Sequence, residues 1–205
     1  MHLIFSSPLR YTQGPDATKS LCTEMAILGI ASPVLIVTSA SPKRILESAW
    51  RTLLATAESS MALHDFAGKC IHAEIARIVT SARAVRATVI LGAGGGKVID
   101  SARAAAAHML VPFISCHTIA STDSPCCANS VIYTDAGVAE SVRFHPTNPA
   151  LVLVDSQVIM HSPVRTLIAG MGDALSTVFE ARACVASGSP NTRGGLCTLA
   201  ALAIA

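Results

Sequence analysis

Gly92-Ala-Gly-Gly-Gly-Lys97 packs four glycines and a lysine into six residues, with Asp100 three positions further on. Backbone N–H groups with no side chains around them, at the start of a helix, suit a phosphate because amides and helix dipole both favour the anion. The spacing is not a P-loop, since Leu91 and Val98 stand where that motif needs Gly and Ser or Thr. Nor is it G-x-G-x-x-G, since Lys97 takes the third glycine's place, so a purely structural strand-to-helix turn stays open. A second polar cluster, Thr118-Ile-Ala-Ser-Thr-Asp-Ser-Pro125, follows an apolar run that ends at Ser115. Ligands of open α/β sheets bind beyond the carboxyl ends of strands, so this loop and the glycine turn together predict a nucleotide cleft. Asp123 reads either as a ligand-facing carboxylate or as an Asx-type turn residue before Pro125. In Gly170-Met-Gly-Asp173, Asp173 reads either as a ligand or as a helix N-cap after a glycine break.

The elements that would position these groups alternate. Val34–Thr38, Thr88–Leu91, Val111–Ser115 and Ala150–Val154 are short apolar runs that read as buried strands. Helices are predicted from about Lys43 to Thr56, over Ile71–Val79, from Lys97 to Met109 and from Val164 to about Ser187. In Ile71–Val79 the apolar residues share one face, and Glu74 and Arg77 are expected to point elsewhere. Ser130–Thr134, the turn Asp135-Ala-Gly137 and Val138–Phe144 read as an antiparallel hairpin. The pattern predicts an α/β fold, a parallel sheet covered by helices, with an inserted β-hairpin, followed by the start of an all-helical domain. Residues 1–160 form the first unit in this reading and 161–205 the second. A further helix is expected from near Asn191, and Thr198–Ala205 is apolar all round, which implies burial by helical elements beyond it and a truncated chain.

Composition narrows the classes. Fifteen Lys and Arg against thirteen Asp and Glu leave a net charge of +2, too little excess to predict a nucleic-acid partner. The apolar runs are interrupted before the roughly 20 residues of a membrane span, which predicts no membrane partner and, with no leader pattern, a cytoplasmic protein. The seven cysteines are scattered without a C-x-x-C pair, and the seven histidines contain no H-E-x-x-H, so neither type offers a preformed metal motif.

Taken together, Leu91–Lys97 with Asp100, Thr118–Pro125, Ser130–Thr134, Ala169–Leu175 and Phe179–Arg182 closely resemble the glycerol dehydrogenases of the iron-containing, metal-dependent alcohol dehydrogenases. That resemblance runs from about Tyr11 to the last residue. It implies an N-terminal dinucleotide-binding domain, a helical C-terminal domain, NAD and zinc as cofactors, and oxidation of glycerol, a small polyol, to dihydroxyacetone. It implies NAD contacts from Gly94, Gly95, Gly96, Lys97, Asp100, Thr118, Ile119, Ala120, Ser121, Cys127, Asn129 and Tyr133. Asp123 would meet the polyol, Asp173 would be the first of three zinc ligands, and the two would be the catalytic carboxylates. A homo-oligomer is implied for the full-length family. The chain departs from the pattern at Ser39, where an acidic residue is expected, and at Cys127, where serine is expected. The two histidines that would complete the zinc site are absent from the sequence. A catalytically inactive nucleotide-binding remnant, or a partner of a full-length homologue, is the alternative function.

Overall fold

The computed structural model describes residues 2–198, 202 and 203 of the chain. Its centre is a six-stranded parallel sheet built from β1 (Arg10–Gly14), β2 (Val34–Thr38), β3 (Met61–Asp65), β4 (Val89–Gly94), β5 (Phe113–His117) and β8 (Leu151–Asp155), in the order β1-β8-β5-β4-β2-β3. Strands β2, β4 and β8 are buried along their whole length, as runs of branched apolar residues between two helical layers must be.

Alternate residues of each strand serve opposite layers. Val34 and Ile36 face Leu21 and Met25 of α1 (Leu21–Ile27) and Leu46, Trp50 and Leu54 of α2 (Ala40–Thr56). Leu35 and Val37 face Ile75, Ile78 and Val79 of α3 (His72–Ala84) and Val98 and Ile99 of α4 (Gly96–Met109). The β2-α2-β3 and β4-α4-β5 crossovers therefore leave from neighbouring strands, lie on opposite faces and run toward opposite edges. Such a point, where the strand order reverses, opens a crevice at the carboxyl ends of β2 and β4.

The hairpin forms as expected from β6 (Asn129–Tyr133) and β7 (Ala139–Phe144), antiparallel and separate from the main sheet. A short helix α5 (Ser156–Met160), capped by Asp155 accepting from the N–H groups of Gln157 and Val158, leads to α6 (Val164–Ser187). No residue of α6 is buried. Among the described residues, no helix is long and apolar enough to cross a membrane.

Three expectations are corrected. Gly92 and Gly94 belong to β4, so the turn is tighter than the glycine run suggests and pivots on Gly95. Glu74 does not point away from the core: it is 2% exposed, where its carboxylate accepts from Arg77 and the Ala67 N–H and contacts His64. The polar partners make that burial tolerable. Near Asn191 there is no helix start, because the Asn191 side-chain oxygen accepts from the N–H groups of Arg193 and Gly195 and closes a turn. Two strands, β1 and β3, were not foreseen. The expected apolar helix over 198–205 lies mostly outside the described residues.

Candidate functional site

Register brings the two polar clusters level. Gly94 pairs with His117 and Thr38 with Ala93, so Ser39, the Gly95 turn and the Thr118 loop leave the sheet side by side. The Thr118 N–H donates to the Gly94 carbonyl at 3.1 Å and locks loop to turn. Gly95 is the extended N-cap of α4 and makes no side-chain cap, so the first amides of a 14-residue helix face the crevice.

A cavity lies on each side of this turn. The larger, about 500 Å³, is reached by Gly96, Lys97, Ser121, Asp123, Tyr133 and Asp173. Asp100, Cys127 and Asn129 also reach it. The smaller, about 210 Å³, is lined by Ser39, Gly95, Thr118, Ile119 and His161. Two of the expected contacts fall outside both cavities. Gly94 is buried, and a Cβ there would sit 2.7 Å from a Val98 methyl, which makes it a packing glycine. Ala120 instead turns its carbonyl toward Gly170.

Asp123 and Asp173 do meet. The Asp123 N–H donates to a carboxylate oxygen of Asp173 at 2.8 Å, across 50 residues of chain. Asp173 stands inside α6, whose N-cap is Pro163, so it caps nothing. The Asp123 side chain makes no capping bond either, which leaves its carboxylate for the cavity. Burial first, and then the negative Asp173, push the Asp123 carboxyl above the usual carboxylate range. Lys97 lies over the Tyr133 ring, 5.4 Å from its centroid. Ser176 and Thr177, which are not among the expected site residues, share the cavity with Asp173, as does Glu180 of the Phe179–Arg182 stretch. Their spacings of three, four and seven residues from Asp173 are the signal that places them on one helix face.

Asp100 does less for a ligand than expected, because the protein already uses it. One carboxylate oxygen accepts from Arg103 at 2.8 Å and the Ser124 hydroxyl at 2.6 Å; the other accepts from the Val131 N–H at 3.0 Å. Arg103, itself 2% exposed, also donates to the Ser124 and Asn129 carbonyls. This pair ties α4 to the Asp123 loop and to the hairpin. The Cys127 thiol beside it is pushed up to about 12, by burial and then by Asp123, and is not a nucleophile at neutral pH.

His145 extends the same network. The Ser130 hydroxyl donates to the Asp100 carbonyl, so it accepts from the His145 Nε2–H of a neutral ring. Burial, followed by the positive Arg103, lowers His145 to about 4 against an ordinary 6.5; Asp100 opposes this, and Arg143 and Arg193 add to it. The folded state therefore refuses a proton that the unfolded chain accepts. That contribution is complete above pH 6.5 and is lost as the pH falls toward 4, at up to about 1.4 kcal/mol per pH unit. Urea unfolding between pH 7 and 4.5 should show a shallower loss in His145→Gln; identical slopes would remove His145 from the acid response.

The family model described as iron-containing alcohol dehydrogenase matches residues 8–156. The chain belongs to that family. It is 42% identical over its whole length to a glycerol dehydrogenase of Escherichia coli O6:H1, covering 55% of that protein, and 36% identical over 95% of its length to a glycolaldehyde reductase of Halobacterium salinarum. A crystal structure of a probable glycerol dehydrogenase from Sinorhizobium meliloti 1021 superposes with a TM-score of 0.88 at 34% identity, covering 98% of this chain and 54% of that one. The chain thus spans about half the length of these relatives.

The donor set can be tested against a metal. Among the described residues, no three His, Cys, Asp or Glu side chains gather to hold an ion. Asp173 already receives the Asp123 N–H on one oxygen. These residues alone do not form a metal centre.

Proposed function

We propose that this chain is the dinucleotide-binding part, with one wall of the polyol site, of an NAD-dependent oxidoreductase of glycerol dehydrogenase type, acting on glycerol or a similar polyol. The supporting observation is the placement of Asp123 and Asp173 at one side of a glycine turn that has a second cavity on its other side. A dinucleotide is two-ended, with its pyrophosphate in the middle, and fits a helix N-terminus flanked by two chambers. Lys97 and the amides at Gly95 and Gly96 would hold the pyrophosphate, and the Asp123 carboxyl, with its raised pKa, would hydrogen-bond polyol hydroxyls next to the nicotinamide. When bound, a zinc ion would polarise the reacting hydroxyl, but it needs donors beyond Asp173. The division at residue 160 and a homo-oligomeric whole belong to the same proposal.

The absence of a three-donor group among the described residues favours one second reading, a nucleotide-binding module without turnover. Gly96→Val tests what both readings share. A Cβ at Gly96 meets only a Thr122 methyl, at 3.3 Å, so the variant should fold. Its branches would occupy the approach of the pyrophosphate, and calorimetric NADH affinity should fall at least about tenfold, some 1.4 kcal/mol. Native affinity in a folded Gly96→Val chain would sink the cofactor assignment. NADH production from NAD and glycerol with added zinc, in the chain joined to the helical half of a homologous glycerol dehydrogenase that brings further donors, separates enzyme from module.

A further inference from the structure

Helix α6 rests on the body of the protein by one side. A Cβ at Gly170 would strike the Ala120 carbonyl, and Asp173 receives the Asp123 N–H, so these two positions fix which side of the helix faces inward. The opposite side carries Val164, Leu167, Ile168, Met171, Leu175 and Phe179, each half to seven-tenths exposed. Between Arg165 and Glu180 the one charged residue is Asp173, which is turned to the site. A helix at the surface of a globular protein is ordinarily polar on its outer side, whereas this one is apolar there for about four turns. We propose that this stripe is the interface of a two-fold dimer, in which α6 of one copy packs antiparallel against α6 of a second copy of this chain.

Three observations carry this. The first is area. At these exposures the six side chains present roughly 700 Å² together, within the span of about 600–1,000 Å² per partner that specific interfaces bury. The second is spacing. Val164, Ile168, Met171, Leu175 and Phe179 follow one another by steps of four, three, four and four residues, which is the seam of two helices crossing at a shallow angle. The third is that the stripe complements itself. A two-fold axis beside Met171 sets Val164 opposite Phe179 and Ile168 opposite Leu175, and Arg182 then falls beyond the start of the other helix at Val164. Such a contact uses the same patch on both copies and closes after two. The inference does not depend on the dinucleotide reading, because none of the six side chains lines either cavity of the site.

The test is sedimentation equilibrium of the full 205-residue chain over a series of concentrations, with far-ultraviolet circular dichroism to confirm that each variant is folded. The native chain should fit a monomer–dimer equilibrium. Met171→Glu places two like charges beside the axis and should raise the dimer dissociation constant at least about a hundredfold; the side chain points outward, so the fold should persist. Register is tested by a complementary pair. Ile168→Glu and Leu175→Lys should each be monomeric alone, because each sets a charge against an apolar side chain, and their mixture should form a one-to-one dimer in which Glu meets Lys. A native chain that is monomeric at every concentration would overturn the proposal and leave the face to a partner of another sequence. Oligomers that keep growing with concentration would overturn it too, since a two-fold contact closes. So would a dimer unmoved by Met171→Glu, or a mixture that stays monomeric.

Discussion

Arg103→Met is expected to destabilise the protein by about 3–5 kcal/mol, because it strands Asp100 in the interior with its cationic partner gone. The guanidinium and the carboxylate are both buried, and together they satisfy the Ser124 and Asn129 carbonyls, the Ser124 hydroxyl and the Val131 N–H. The loss should appear in urea unfolding as a lower midpoint with an unchanged slope. Asp100→Leu combined with Arg103→Met should recover much of it, since removing a buried pair together costs less than removing one partner. A single variant within about 1 kcal/mol of the native chain would show that α4 and the Asp123 loop are held by other contacts.

The second large effect separates two glycines only two residues apart in α6. A Cβ at Gly170 would stand 2.9 Å from the Ala120 carbonyl carbon, closer still to its oxygen, and 3.3 Å from the Ser121 Cα; one at Gly172 meets nothing within 4 Å. Backbone cannot give way as a side-chain tip does. Gly170→Ala should therefore cost about 1–3 kcal/mol and push α6 off the Ala120–Ser121 loop, loosening the Asp123–Asp173 link. Gly172→Ala should instead raise stability by up to about 1 kcal/mol, the helix-propensity gain of alanine over glycine. Thermal unfolding of the two variants should move in opposite directions. If both rise, α6 does not rest on that loop through Gly170.

Much of the scaffold is legible along the chain. The long α6 runs over the residues its pattern predicts, and the hairpin turns at Asp135–Gly137, because helical periodicity and turn chemistry are local. Strands β2, β4, β5 and β8 announce themselves as apolar runs because both of their faces are covered. The edge strands β1 and β3 do not. In β1 only alternate residues are half-buried, and its pairing with β8 across the sheet supplies the order that its own composition, Arg-Tyr-Thr-Gln-Gly, does not.

The site divides along the same line. By itself the sequence determined the residue types and local geometry: a helix N-terminus bared by glycines, a polar loop after a buried strand, and carboxylates at Asp123 and Asp173. Only the tertiary structure decided that those carboxylates are joined, that Gly94 lies buried with no room for a Cβ beside Val98, and that Asp100 is held by Arg103. It also decided that Ser39 opens into the same cavity as Gly95. Turns and helix starts depend on φ, ψ and the next few side chains, which the chain carries locally. Whether a carboxylate meets a ligand, another carboxylate or a buried guanidinium depends on strand order and helix placement, which bring together residues that are 50 positions apart in the case of Asp123 and Asp173.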